Sequence, residues 1–564
     1  MKKKLVLALG LGVFMSYVSN LEAETFEQLP VPTITPPAPL APSKSKTLEI
    51  QKFKSVELKA VKIKAVKIEG NKMFSEATLQ KVIKGHTTGL MTIQAMKTLA
   101  NKITAFYVNS GYSLDRAYIP IQTFKNHILV IKVVEVIYSK VAIHNKGHIS
   151  NKFISSVVGV KDGSEADIAG LNSKLFELSD LPGASTEHAT LSPGSIPGST
   201  QLDVFLNQEP QFNASASVNN YGVSYLGAFQ LQGSASVNNL FHHGDLLSVQ
   251  ATSSLGGFNF VDVSFSTPIT SSIKTGVGYT ALNYRMGYGF QPFPFMNSAN
   301  FAAYTALGSS GYGQTATGWV SDQLVRTENT SIVSTLSYSH DVYSDTYTQG
   351  VGNDRSLNVF SASFSGFQRD YFFGGATNSF NVSYSPYILS GASAYSVNPL
   401  QASTSGFRSV WTGQASRVQN LPHKVNENNF LTLSGSGQFA TGALDPMQQY
   451  VLGGYSSVRA YSEAALFGNE GYTVSAQLTH KVVHNAPLGW FDIPGTWQSS
   501  LFFDAGGVSS NTAMLFAAGP GLSEEWDIKK FVVTGSVAMP VGGVPGLLGT
   551  TPGVQLWLSA GVHL

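Results

Sequence analysis

Val554-Gln-Leu-Trp-Leu-Ser-Ala-Gly-Val-His-Leu564 closes the chain and alternates throughout. Val554, Leu556, Leu558, Ala560, Val562 and Leu564 fall on one face, and Gln555, Trp557, Ser559, Gly561 and His563 on the other. In a β-strand successive side chains point to opposite faces, so this is one strand with an apolar and a polar side. The same period recurs upstream in Leu247–Thr252, Phe360–Phe364, Phe380–Tyr384 and Val474–Thr479. Helical periodicity is missing from about residue 211 onward. Alternation alone fits a soluble sandwich as well as a membrane sheet. Composition decides between them. Residues 1–210 hold 24 Lys and Arg against 17 Asp and Glu, and the remaining 354 residues hold only 12 against 17. The polar face is therefore built from Ser, Thr, Asn, Gln and Gly, and the apolar face is rich in aromatics. In hydrocarbon no sheet edge can be left unpaired, so such strands must close into a barrel, greasy outside and polar within. At about 22 residues per strand with its turn or loop, the segment predicts about 16 antiparallel strands.

The other end predicts export. Met1–Lys4 is positively charged, Leu5–Val18 is mostly apolar, and small residues lead to a cleavage site after Ala23. Fourteen residues at 1.5 Å each do not span the ~30 Å of a hydrocarbon core, so residues 1–23 read as a signal peptide. Residues 24–58 form a linker in which six prolines between Pro30 and Pro42 favour an extended spacer. Glu24–Leu29 is too short for a stable helix, so no N-terminal plug helix is expected.

Two α+β modules follow, at 59–136 and 137–209. The first begins with the strand Val61–Ile68, whose Lys residues read as a solvated face. A helix from Ser75-Glu76 to Gly85, a helix over Ile93–Val108, and strands at Arg116–Thr123 and His127–Val136 complete it. The second repeats the order with a strand at Val136–His144, helices at Ser150–Val158 and Ser164–Leu181, and strands near Thr186–Leu191 and Gln201–Leu206. Tandem modules of this size read as a docking arm. The chain is thus mainly β: two α+β modules before a 16-stranded transmembrane β-barrel at 210–564.

No catalytic constellation emerges. The chain has no Cys, and its 12 His show no ligand spacing, so neither metal nor cofactor is expected. His242-His243 near Asp245 reads as a turn, and Gly308–Gly313 as a loop that lacks the phosphate-binding G-x-x-x-x-G-K-[ST] form. Near-neutral charge argues against nucleic acid.

Several motifs resemble those of two-partner secretion transporters, the TpsB family of haemolysin secretion/activation proteins in the outer-membrane POTRA-barrel superfamily. Gly111-Tyr112 with Pro120 and Gln122 is similar to the family's POTRA signature. Leu191-Ser-Pro-Gly194 and Gly198–Leu202 resemble the end of the second POTRA module, and Ser217–Gly222 with Asn238–Asp245 resembles the first barrel hairpin. Leu452–Tyr461, with the core Val458-Arg459-Ala460-Tyr461, resembles the sixth extracellular loop, and Phe502-Phe-Asp-Ala-Gly506 its barrel-wall element. The resemblance implies that the loop folds into the lumen, that Arg459 pairs with Asp504, and that Val458 and Tyr461 pack the tip. Ala460 stands where the family has Gly, a substitution that costs about 1 kcal/mol if φ there is positive. The chain ends in His563-Leu564 where such barrels usually end in an aromatic residue.

The resemblance also implies partners and place. These are a large TpsA-like exoprotein with an N-terminal secretion domain, outer-membrane lipid, and the barrel-assembly machinery during biogenesis. The protein is expected to act as a monomer without ATP. An assembly insertase of the same superfamily usually carries more modules, and a passive porin needs no arm.

Overall fold

The computed structural model describes residues 33–35, 60–85, 87–288, 309–346, 352–391, 405–421, 427–483, 486–488, 491–493, 495–509, 514–542 and 553–564. The expected signal peptide, the short stretch Glu24–Leu29 and most of the expected proline spacer lie outside the described residues. The chain forms two compact units, one within Leu29–Glu209 and one over Pro210–Leu564.

In the arm, Thr33–Thr35 (β1) comes first. The first module then holds β2 (Val61–Ile63), β3 (Ala65–Glu69), α1 (Glu76–Val82), β4 (Gly89–Met91), α2 (Ile93–Asn109), β5 (Arg116–Tyr118) and β6 (Ile128–Val134). Its sheet runs β3-β6-β5, with β3 parallel to β6. Alternation in β6 buries Leu129, Ile131 and Val133 against Leu99 and Ile103 of α2. The Ser75 and Thr92 hydroxyls cap the two helices by accepting backbone N–H bonds. Lys62, Lys64 and Lys67 lie on the exposed face. The predicted single strand Val61–Ile68 is two, because β2 leaves the sheet to pair with β4, a strand too short to announce itself.

The second module holds β7 (Ile137–Asn145), α3 (Asn151–Val158), α4 (Ile168–Ser179), β8 (Ala184–Pro193) and β9 (Ser199–Gln208). The predicted helix from Ser164 begins instead at Ile168. Asp167 caps it there, while Ala166 N–H donates to the Val136 carbonyl and is lost to the helix. The sheet order is β1-β8-β9-β7, and β1 adds to β8 in parallel.

The second unit is a closed barrel of sixteen strands, each antiparallel to its neighbours, from Phe212–Asn219 to Gln555–His563. Polarity is inverted relative to the arm. Phe360, Phe364, Phe380, Trp411, Leu501, Phe503, Leu556 and Leu558 are exposed on the outer surface. Outward aromatics pair across strands, Tyr338 with Phe360 and Tyr384 with Trp411, at ring distances of 4.9 and 4.4 Å. Inside, hydroxyls meet in pairs such as Ser379–Ser416 and Ser383–Thr412. The predicted loop at Gly308–Gly313 is in part strand, since Ser310–Arg326 enters the ladder. There Gly311 and Gly313 face bulky lumen side chains: a Cβ on Gly311 would lie 2.7 Å from the Tyr284 ring, and one on Gly313 2.8 Å from the Tyr343 ring.

The first and last strands meet through only five residue pairs, Ser215–Asn219 against His563–Ser559. Asn220 extends this seam by imitating a backbone. Its Nδ2 donates to the Leu556 carbonyl and its Oδ1 accepts from Leu558 N–H, both at 2.7 Å. The terminal Leu564 N–H donates to the Ala214 carbonyl at 2.8 Å, so the ladder is used to its last residue.

Candidate functional site

The eleventh and twelfth barrel strands, Glu427–Ala440 and Glu470–Val483, are joined by a long segment that turns back into the lumen. Its stem is a short ladder of Tyr450–Leu452 with Leu466–Gly468. Its tip carries Val458, Arg459, Ala460 and Tyr461. Val458, Ala460 and Tyr461 are buried in an apolar cluster with Leu452, Leu466, Phe502, Val508 and Ala517.

Arg459 reaches the wall formed by the twelfth strand and its neighbour, the thirteenth, Thr496–Ser509. Its Nε and Nη2 donate to the two oxygens of Asp504 at 2.8 and 2.9 Å, and its own backbone N–H donates to Asp504 Oδ2 at 3.1 Å. Nη1 donates to Gln477 Oε1 at 2.9 Å, and the Phe502 ring lies 3.3 Å beneath the guanidinium carbon. The Ser475 hydroxyl donates to Asp504 Oδ1 at 2.7 Å. A forked, charge-assisted pair with an aromatic floor fixes both position and orientation. Period two explains the spacing of the wall motif, since Phe502, Asp504 and Gly506 share one face of the strand Thr496–Ser509. Phe502 supplies the floor, Asp504 the carboxylate, and Gly506 the clearance. A Cβ at Gly506 would lie 2.5 Å from Leu452 of the stem.

Ala460 is not among the residues with positive φ; those between the two stem strands are Gly453, Gly454 and Ala464. The φ penalty considered for Ala460 therefore does not arise, and its methyl packs where Gly519 leaves room. Two further contacts place the tip at the seam. Trp557 Nε1, on the last strand, donates to the Arg459 carbonyl at 2.8 Å. Tyr221, just after the first strand, stacks on Tyr455 with ring centres 4.0 Å apart.

The arm residues singled out by motif are structural joints. Gly111 has φ 101°, and its carbonyl accepts N–H bonds from Ile168 and Ala169 at the start of α4. A side chain there would crowd Asp167 and Ala169, so glycine permits the contact between modules. Tyr112 packs edge-on against Phe74. The predicted strand Arg116–Thr123 stops at Tyr118, because Pro120 has no N–H for a ladder. Gln122 then takes over with its side chain, accepting from Val130 N–H and donating to the Val130 carbonyl, both at 2.8 Å. Nearby, buried Asp115 accepts from Val136 N–H at 2.8 Å, and burial pushes its carboxyl up to about 6.

Residues 198–522 match the family model described as haemolysin secretion/activation protein ShlB/FhaC/HecB. The chain belongs to this family. Residues 61–135 match the ShlB-type POTRA domain. Among curated relatives, the heme/hemopexin transporter protein HuxB of Haemophilus influenzae strain Rd is 24% identical over 504 residues, covering 85% of this chain and 83% of its own. The outer membrane transporter CdiB of Dickeya dadantii is 23% identical over 395 residues, 69% of this chain and 66% of its own. The solved structure of CdiB from Escherichia coli superposes with a TM-score of 0.71 at 17% identity, over 92% of this chain and 94% of that one. CdiB from Acinetobacter baumannii gives 0.71 at 16%, over 98% of each chain. These likenesses show the fold.

The protein is thus an outer-membrane transporter of two-partner secretion, with its POTRA arm in the periplasm and a TpsA-like exoprotein as its partner. The chain enters the barrel from the arm, so the turn after the second strand is periplasmic. There Asp245 accepts the N–H groups of Phe241 and His243, which makes the His242-His243 stretch a carboxylate-organised turn. Among the described residues no His, Asp and Glu group is placed to hold a metal.

Motif reasoning passed over one cluster in this transporter. Arg355, on the eighth strand, donates to Asp345 of the seventh and to Asp445 at the root of the loop, each at 2.5 Å. No motif marked these residues. The available signal was scarcity, an Arg and two Asp in a segment with few charges.

Proposed function

We propose that the arm captures an unfolded exoprotein, of the haemolysin or filamentous-adhesin type, and that the cargo leaves through the lumen when the Arg459 tip is displaced. Capture is by strand addition. An exposed sheet edge offers a row of backbone donors and acceptors, which binds an extended polypeptide with little demand on sequence. The pairing of β1 with β8 supports this reading, since that edge accepts a parallel strand. The chemistry asks only for an unfolded chain.

The observation that carries the gate is the Arg459–Asp504 fork, which ties the tip to the wall of a lumen lined mostly by uncharged hydroxyls and amides. Such a surface gives a passing chain few strong places to stick. One bidentate ion pair that breaks as a unit suits a lid better than many weak contacts do. Neither a catalytic residue nor a nucleotide is part of the reading, and folding of the cargo outside the cell supplies the drive. The protein acts as a monomer in outer-membrane lipid, placed there by the barrel-assembly machinery.

Export of a co-expressed exoprotein tests the gate. Arg459→Asp is expected to raise ion conductance and impair export, and Arg459→Asp with Asp504→Arg to restore both in part. If the double reversal recovers nothing while the barrel remains heat-modifiable on gels, the two residues do not act as partners.

A further inference from the structure

We propose that Arg355 is a positioning residue that pins the stem of the lumen loop, so that the gate opens by a pivot of the tip while the stem stays on the wall. The inference rests on the gating role given above to the tip.

Three charged side chains meet where the loop leaves the barrel. Arg355, Asp345 and Asp445 are each at most 1% exposed. Each carboxylate accepts from one further donor. Tyr284 hydroxyl, from the fifth strand, donates to Asp345 Oδ1 at 2.8 Å, and Met447 N–H donates to Asp445 Oδ1 at 3.0 Å. The guanidinium carbon sits 5.2 Å from the centre of the Tyr343 ring, its direct cross-strand neighbour. Gly311 and Gly313 leave the room, since a Cβ at Gly311 would lie 2.7 Å from Asp345 Oδ1.

Burying three charges is a poor way to stabilise a barrel, because desolvation cancels most of the attraction. What the cluster does supply is a fixed address. Asp445 lies between the eleventh strand and the stem, and it caps the turn Pro446–Gln448 that leads into Tyr450. Further bonds hold the same section. Tyr450 hydroxyl lies 2.8 Å from Ser436 and from Thr473, and Gln438 Nε2 donates to the carbonyls of Gln448 and Asn469. Every one of these partners belongs to the wall or the stem.

The tip is fastened separately, through Arg459 to Asp504 and through Tyr455 to Tyr221. Between stem and tip the backbone changes character. Gly453 and Gly454 have φ of 100° and 108° on one side, and Ala464 has φ of 53° on the other. Glycines in this region move at low steric cost. Both strands of the hairpin therefore pass through a joint at the same level, above a section that Arg355 anchors.

Because the chain has no native Cys, introduced thiols report cleanly. The first measurement is the reaction of Gln448→Cys with an impermeant maleimide on intact cells. In the background Arg355→Met, Asp345→Asn, Asp445→Asn, where no buried charge is left alone, labelling is expected to be about tenfold faster while heat-modifiability is retained. Arg355→Lys is expected to recover part of the protection. Unchanged labelling in the neutralised background overturns the proposal. The second measurement joins Gln438→Cys to Gln448→Cys with a short bis-maleimide. Export is expected to continue with the stem tied down, and loss of export overturns the proposal. The charge-reversal experiment at Arg459 and Asp504 reads the tip alone, so failure of the gate and failure of the pinned stem give different results.

Discussion

The arm and the barrel solve burial in opposite directions. In the arm, Leu99, Ile103, Leu129 and Ile131 meet in a dry interior and Lys residues face water. In the barrel, Phe360, Phe503 and Leu556 face outward, and the interior holds hydroxyls, amides and a few buried ions. The same period-two strand serves both. What differs is which solvent lies outside, so identical substitutions on corresponding faces should have opposite outcomes. The lumen loop stands between the two regimes: its tip rebuilds a small apolar core around Val458, Ala460 and Phe502 inside a polar cylinder.

The largest effect should come from the arm's core. Ile103→Ala leaves a cavity under α2 and is expected to cost about 2–5 kcal/mol, read as a lower urea midpoint for proteolysis of the arm in the full-length protein. On the barrel, Phe503→Arg places a charge on the lipid face at a cost of about 2–4 kcal/mol, seen as loss of heat-modifiable barrel. Ser337→Lys, on the lumen face, is expected to be tolerated within about 0.5 kcal/mol. If Ser337→Lys is as damaging as Phe503→Arg, the assignment of faces is wrong. Gly506→Val sets a side chain against Leu452 and should cost about 1–3 kcal/mol, with a rise in conductance as the stem shifts.

A smaller effect is pH-dependent. The Asp115 carboxyl titrates near 6 in the folded arm because burial disfavours its charge, against about 4 when unfolded. The folded state therefore binds the proton more tightly. The stability this group contributes is complete below pH about 4 and is lost as pH rises through about 6. The arm's urea midpoint should fall between pH 5 and pH 7, and Asp115→Asn should flatten that fall. Least of all, Ala460→Gly is expected to change stability by no more than about 1 kcal/mol, since φ at that position is not positive.

The barrel was legible because its two signals are local. Alternation appears within six residues, and the scarcity of charge is visible by counting. Strand ends were less so. Ser310–Gly313 reads as a loop from its composition, and only the side chains opposite, Tyr284 and Tyr343, explain why glycines sit in a strand there. In the arm, β5 stops early because of Pro120, a rule available from sequence, but that Gln122 completes the ladder by its side chain depends on where Val130 lies. At the site, 45 residues separate Arg459 from Asp504, and no periodicity connects them. Only a motif links that pair. The Arg355 cluster had neither motif nor period, since Asp445 approaches it from a segment 90 residues along the chain.

One measurement bears most directly on the claim that the lumen is closed by a movable tip. Cysteines at Tyr221 and Tyr455, whose rings stack at 4.0 Å, are joined by a bis-maleimide carrying a reducible disulphide. Export should stop while the linker is intact and resume when it is reduced. Export that proceeds at the parental rate with the tip tethered would contradict the account.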